Sequence, residues 1–180
     1  MKKIFIDYKF KNKPWGGGNQ FLKALKKQLI KRKLFTTDIS KAKILIVNSH
    51  HFSLNFFFSY LKNKHINVIH RIDGPIHLTR DKNYGYIDSL IHLFSKYFAD
   101  GVIFQSNWSK KQNIKFGFDK KIKNTVIYNA PDNKIFFKKK TNNFNNQKKI
   151  NIVASSWSSN LKKGFNYLYF LDKNLNFNNF

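Results

Sequence analysis

The chain reads as an α/β protein built on a doubly wound parallel sheet, and three observations predict it. Short apolar runs recur along residues 1–128, as in Ile44-Leu45-Ile46-Val47, where parallel strands are buried on both faces. Between them lie stretches whose apolar residues recur at helical spacing. The third is a glycine triplet, Gly16, Gly17 and Gly18, set between the first apolar run and the first amphipathic stretch. Strand, glycine loop and helix together let backbone N–H groups and a helix N-terminus face an anion or a sugar.

Each element has its own local reason. Residues 2–8 hold Ile4-Phe5-Ile6 and predict the first strand. Residues 19–33 predict a helix with Phe21, Leu22, Leu25, Leu29 and Ile30 inward, lysines outward and Asn19 as N-cap. Residues 43–48 are the second strand, and 53–64 a helix capped by Ser53. Residues 66–72 form a strand running into His70-Arg71-Ile72-Asp73-Gly74-Pro75, and 84–98 a helix burying Ile87, Leu90, Ile91, Phe94 and Phe98. A strand over 101–105, a short helix over 109–116 and a strand over 125–128 complete the first domain, residues 1–130. Residues 131–149, rich in Lys and Asn, read as a linker. The alternation then restarts with a strand at 150–154, a polar loop at 155–163 and a helix over 164–174. One strand and one helix do not make a domain, so 150–180 reads as the opening of a second, incomplete one.

Composition narrows the function classes. With 34 Lys and Arg against 9 Asp and Glu, the net charge is +25, which points to nucleic acid, anionic membrane or phosphorylated ligands. The lysines are scattered, however, and accompany abundant Asn, Ile and Phe, a joint bias expected of an AT-rich coding sequence. The absence of Cys excludes disulfides and thiolate-bound metal. Met1-Lys2-Lys3 leads into too short an apolar run for a signal peptide. The run at 52–61 is about half a membrane span. The expected location is cytoplasmic, with peripheral contact to an anionic inner membrane face as an option.

Five separated stretches carry a resemblance. They are Pro14-Trp15-Gly16-Gly17-Gly18-Asn19, His70-Arg71-Ile72-Asp73-Gly74-Pro75, Ala99-Asp100-Gly101-Val102-Ile103-Phe104-Gln105-Ser106, Val126-Ile127-Tyr128-Asn129-Ala130-Pro131-Asp132, and Ser155-Ser156-Trp157 with Lys163-Gly164-Phe165. In this order the chain resembles a GT-B glycosyltransferase, nearest to the family 4 type, over about half of such an enzyme's length. The resemblance implies two Rossmann-like domains facing each other, the first binding mainly the acceptor and the second a nucleotide sugar. It also implies transfer of a sugar to a glycan, lipid-linked or other acceptor, with retention of configuration. No metal ion and no cofactor beyond the nucleotide-sugar co-substrate are implied.

On these positions the resemblance places the substrate-binding residues Gly16, Gly17, Gly18, Asn19, Arg71, Gly74 and Ser106. It makes His70 and Asp73 the catalytic candidates, and Lys162 and Lys163 the donor-phosphate contacts. Plainer readings stand beside these. The triplet could be a flexible turn, Asp73 could pair with Arg71 and open the Asp-Gly-Pro turn, and Ser106 could start a helix. His50 and His51 also follow a strand, equally as ligand-side or as solvated loop residues. Where the family carries an Arg before its Lys-Gly pair this chain has Ser158, and the family's downstream acidic motif would fall beyond Phe180.

Two other functions compete. A basic nucleic-acid-binding module would use the aromatics and lysines for stacking and neutralisation, yet no known binding motif occurs and the Phe residues fall on core faces, so no nucleic acid is expected. A nicotinamide-dependent enzyme would need G-x-G-x-x-G and an acidic residue ending the second strand, and the chain has neither.

Overall fold

The computed structural model describes residues 2–12, 15–62, 65–80, 82–130 and 163–176. They belong to two compact units, Met1–Pro131 and Asp132–Phe180. The first is an α/β unit around a five-stranded, wholly parallel sheet in the order β1-β2-β3-β4-β5. The strands are β1 (Ile4–Asp7), β2 (Ile44–Asn48), β3 (Asn67–Ile72), β4 (Gly101–Phe104) and β5 (Asn124–Val126). The helices are α1 (Gly17–Lys31), α2 (Leu54–Lys62), the single turn α3 (Ile76–Thr79), α4 (Gly85–Phe98) and α5 (Asn107–Lys115).

The winding reverses at β1. Phe35 makes a parallel bridge to Ile4, closed by Ile4 N–H to the Leu34 carbonyl at 2.8 Å and Thr36 N–H to the Ile4 carbonyl at 3.0 Å. The neighbouring Lys3 carbonyl turns the other way, to β2, and accepts from Ile44 N–H at 3.1 Å. The chain therefore leaves β1 through α1 to one edge and returns on the other side as β2. Right-handed crossovers then put helices on opposite faces. Leu22, Leu25 and Leu29 of α1 pack on Ile4, Ile6 and Ile46, whereas Phe56 of α2 and Phe94 of α4 pack on Leu45, Val47 and Val68. Where both faces are covered, as over β1 and β2, the strands have no need of alternating polarity.

Much of the aromatic content is spent on that second face. Phe52, Phe56, Phe57, Tyr60, Phe94 and Phe98 form one cluster, with Phe52 stacked on Phe94 at 4.7 Å between ring centroids. Truncating a buried ring such as Phe56 removes about 3–5 kcal/mol, a large share of any domain's stability. A second cluster continues along the sheet under α4 and α5, through Ile72, Ile91, Val102, Phe104 and Phe118.

Some expectations shift. The first helix begins at Gly17 with Gly16 in the N-cap position and no side-chain cap, so Asn19 is not its N-cap. Asn19 lies inside the first turn, where its side chain accepts from Lys11 N–H at 3.0 Å and donates to the Lys11 carbonyl at 3.1 Å. Leu90, expected inside, is half exposed on α4. Ser53 does cap α2, accepting from Phe56 N–H at 3.3 Å. In the second unit, α6 (Phe165–Asn174) follows Gly164, whose φ of 85° falls in the left-handed region glycine favours. The linker at 131–149 and the strand at 150–154 lie outside the described residues.

Candidate functional site

Parallel strands all deliver their carboxyl ends to one rim, and here the first residues beyond the apolar runs are polar. On the face that α1 covers, Asn48, Arg71, Asp73, Gln105 and Asn129 meet there. Arg71 is their hub. Its Nη1 donates to Asn48 Oδ1 at 2.5 Å and to Asp73 Oδ1 at 2.7 Å, and its Nη2 to Gln105 Oε1 at 3.2 Å and Asn129 Oδ1 at 3.0 Å. Phe21 of α1 lies 4.7 Å from the guanidinium carbon, ring face towards the cation. Arg71 is 2% exposed, and its Nε has no partner among the described residues. One guanidinium thus ties together the exits of β2, β3, β4 and β5.

Asp73 keeps a free side. Its Oδ1 is taken by Arg71, while the side chain as a whole is 35% exposed. Opposite stands the glycine loop. A Cβ on Gly18 would lie 3.6 Å from Asn48 Nδ2, 3.8 Å from Asp73 Oδ2 and 3.9 Å from Arg71 Nη1. Gly16 has a φ of 40°, and no side chain caps the helix that follows. The leading N–H groups of a 15-residue helix and its positive dipole end therefore face the same rim as the Asp73 carboxylate. The Asp73 backbone is held too, its carbonyl accepting from Ser109 Oγ at 2.9 Å and Asn113 Nδ2 at 3.0 Å. Gly74 is buried where any Cβ would strike the Trp108 ring.

His70 goes elsewhere. Successive side chains on a strand point to opposite faces, so the residue before Arg71 enters the core under α4. It is fully buried beside Phe94, with Nε2 2.8 Å from the Ser49 carbonyl and Nδ1 2.8 Å from Ser95 Oγ. The carbonyl can only accept, so Nε2 carries the proton, while the single Ser95 hydroxyl proton is shared between Nδ1 and the Ile91 carbonyl at 2.9 Å. Burial pushes its pKa down to about 4. His70 meets the rim through the Ser49 carbonyl just past β2, and its fully buried ring presents nothing to a ligand there, against the expectation of a catalytic contact.

The other expected residues distribute as follows. Ser106 caps α5, accepting from Ser109 N–H at 3.0 Å, which is the helix-start role. Asn19 is 1% exposed and anchors the segment before the glycine loop. Lys163 is an exposed residue of the second unit, and Lys162 lies outside the described residues. Sequence reasoning missed Asn48, Gln105 and Asn129, although each is a polar residue that follows the apolar run of a strand.

Beside the rim lies a crevice of about 390 Å³ lined by Asp7, Tyr8, Lys9, Lys11, Trp15, His51, Phe52 and Ser53. It sits outside the ends of β1 and β2, the point where the winding reverses and where such sheets bind ligands. Partial burial, the largest cause, raises the Tyr8 pKa, and the nearby Asp73 charge adds to it. Partial burial likewise lowers His51 and pushes His50 down to about 4, so both are neutral at pH 7. Among the described residues no group of three or more His, Asp or Glu could hold a metal ion. Nor is any helix among them long and apolar enough to cross a membrane. Set against known protein families, characterised proteins and solved structures, the chain matches none.

Proposed function

We propose that the first unit is the acceptor-side domain of a sugar-nucleotide-dependent glycosyltransferase of GT-B architecture, similar to family 4, metal-independent and retaining. The observation that carries this reading is the glycine loop. Gly18 presents no side chain towards Asp73, Asn48 and Arg71, at the uncapped start of α1. A sugar or phosphate can approach the backbone there as it could past no other residue type, with the helix dipole favouring the anion. The exposed side of Asp73 accepts a sugar hydroxyl, and Arg71 acts by fixing that carboxylate rather than by reaching the ligand. In the resemblance, Lys162 and Lys163 supply the donor-phosphate charge. A lipid-linked acceptor at an anionic membrane would suit the net charge of +25.

The test is a titration of the ¹⁵N-labelled chain with uridine, guanosine and adenosine diphosphate sugars. At least one should shift the amides of Gly16, Gly17 and Gly18, and Asp73→Asn should weaken that binding by about tenfold, the worth of a charged hydrogen bond. Shifts confined to other parts of the chain, or none, would refute the reading.

A further inference from the structure

We propose that the crevice beyond β1 and β2 is an acceptor subsite for a saccharide that carries a negative charge, a carboxylate or phosphate ester, next to the ring it stacks. The proposal rests on the glycosyltransferase reading and names the substrate class at that site. The crevice volume of about 390 Å³ lies inside the usual range for small-ligand sites, roughly 300–1,000 Å³.

The walls divide by chemistry. Trp15, half exposed, and Tyr8 offer aromatic surface to the C–H face of a pyranose, with polar tips for its edge. Asp7 is the fixed acceptor. Ser53 holds it through N–H to Oδ2 at 3.0 Å and Oγ to Oδ1 at 3.0 Å, leaving lone pairs free for sugar hydroxyls. Lys9 and Lys11 are the cations, and Lys11 Nζ stands 5.4 Å from the Trp15 ring centroid. With His51 neutral, the crevice is lined by two lysines and one carboxylate, the latter already bonded by Ser53. A neutral sugar would satisfy Asp7 and the rings but make no use of the two exposed lysines. An acidic substituent beside the stacked face answers both. The crevice lies beside the rim, and the Asp73 charge is felt at both Tyr8 and His51.

The experiment follows the Trp15 indole N–H in the ¹⁵N-labelled full chain, identified as the signal lost in Trp15→Phe. Glucuronate, glucose 6-phosphate, methyl glucoside, inorganic phosphate and uridine monophosphate are titrated separately. Glucuronate and glucose 6-phosphate should shift it and bind about fivefold more tightly than methyl glucoside at low salt, the worth of one exposed charge pair. The margin should shrink as salt rises. Lys9→Gln with Lys11→Gln should remove it while leaving methyl glucoside binding in place. Equal binding of methyl glucoside, equal or tighter binding of inorganic phosphate or uridine monophosphate, or no shift with any probe would each overturn the proposal. Failure here with nucleotide-sugar shifts intact at Gly17 and Gly18 condemns the subsite alone. Saccharide binding at Trp15 with a silent glycine loop condemns the transferase reading instead.

Discussion

Replacing Arg71 with Met is the most direct probe of the rim. It keeps an apolar stem in the same volume and deletes the guanidinium that reaches Asn48, Asp73, Gln105 and Asn129. Four bonds from a charged donor, at roughly 1.5–3 kcal/mol each, would sum to more than many whole domains possess. That sum overstates the loss, because the acceptors differ in access to water. Asn129 is exposed and the Asp73 side chain is 35% exposed, so both rehydrate. Asn48, 3% exposed, stays dry and is left with an unanswered carbonyl oxygen. The expected cost is therefore about 3 kcal/mol, the lower end for breaking a buried pair. Arg71→Lys should recover only part of it, since one ammonium cannot serve acceptors on both sides of a planar fork. Asp73→Asn, removing a half-wet partner, should cost less than either. Denaturant midpoints at constant slope, followed by circular dichroism, measure all three. A midpoint for Arg71→Met equivalent to less than about 1 kcal/mol would refute the hub.

Three further outcomes follow from individual side chains. Neutral His70 is favoured by the fold, so below pH 6.5 the unfolded chain takes up the proton first and stability falls until about pH 4, by about 3 kcal/mol in all. His70→Gln should flatten that part of the stability profile relative to the parent, and identical slopes would contradict a buried neutral imidazole. Gly74→Ala should cost about 1–3 kcal/mol and change Trp108 emission, because the added methyl drives into that ring. Gly18→Ala should fold well and stabilise α1 by up to about 1 kcal/mol, its nearest neighbours being at 3.6–3.9 Å, yet abolish the nucleotide-sugar shifts at the loop.

The sheet was legible because its signal is local. Buried parallel strands write themselves as continuous apolar runs, and Ile44-Leu45-Ile46-Val47 could be little else. The glycine loop was legible for a similar reason, three residues without side chains ahead of an amphipathic stretch. What failed was the step from a strand to the direction of its side chains. His70 and Arg71 are adjacent in sequence and both precede a turn, so both were placed on the ligand side. Pleating sends one under α4 and the other to the α1 face. The register of Asn48 with Arg71 across β2 and β3 would have shown which was which, but pairing partners are set by tertiary packing. Asn19 was misplaced because the glycines extend the helix two residues upstream, where propensity argues against it.

The charge of the chain and the chemistry of the rim are separate matters. The net +25 would suggest a strongly attractive site for phosphate, yet the rim itself pairs one guanidinium with one carboxylate and surrounds them with neutral amides. Arg71 spends its Nη donors on protein acceptors, so it has little to offer a ligand. Attraction for an anion there comes from the start of α1, whose dipole acts over about one turn. Lys9 and Lys11 in the crevice add to it. Lys31 and Lys33, near the end of α1, lie exposed to solvent. Such charges raise encounter rates with anionic partners at low salt without selecting among them. On the proposed reading, selection would come from shape at Gly18 and from the orientation that Arg71 imposes on Asp73. The rim is thus a nearly neutral frame with one open carboxylate and one open helix end, and on the proposed reading it would discriminate by geometry.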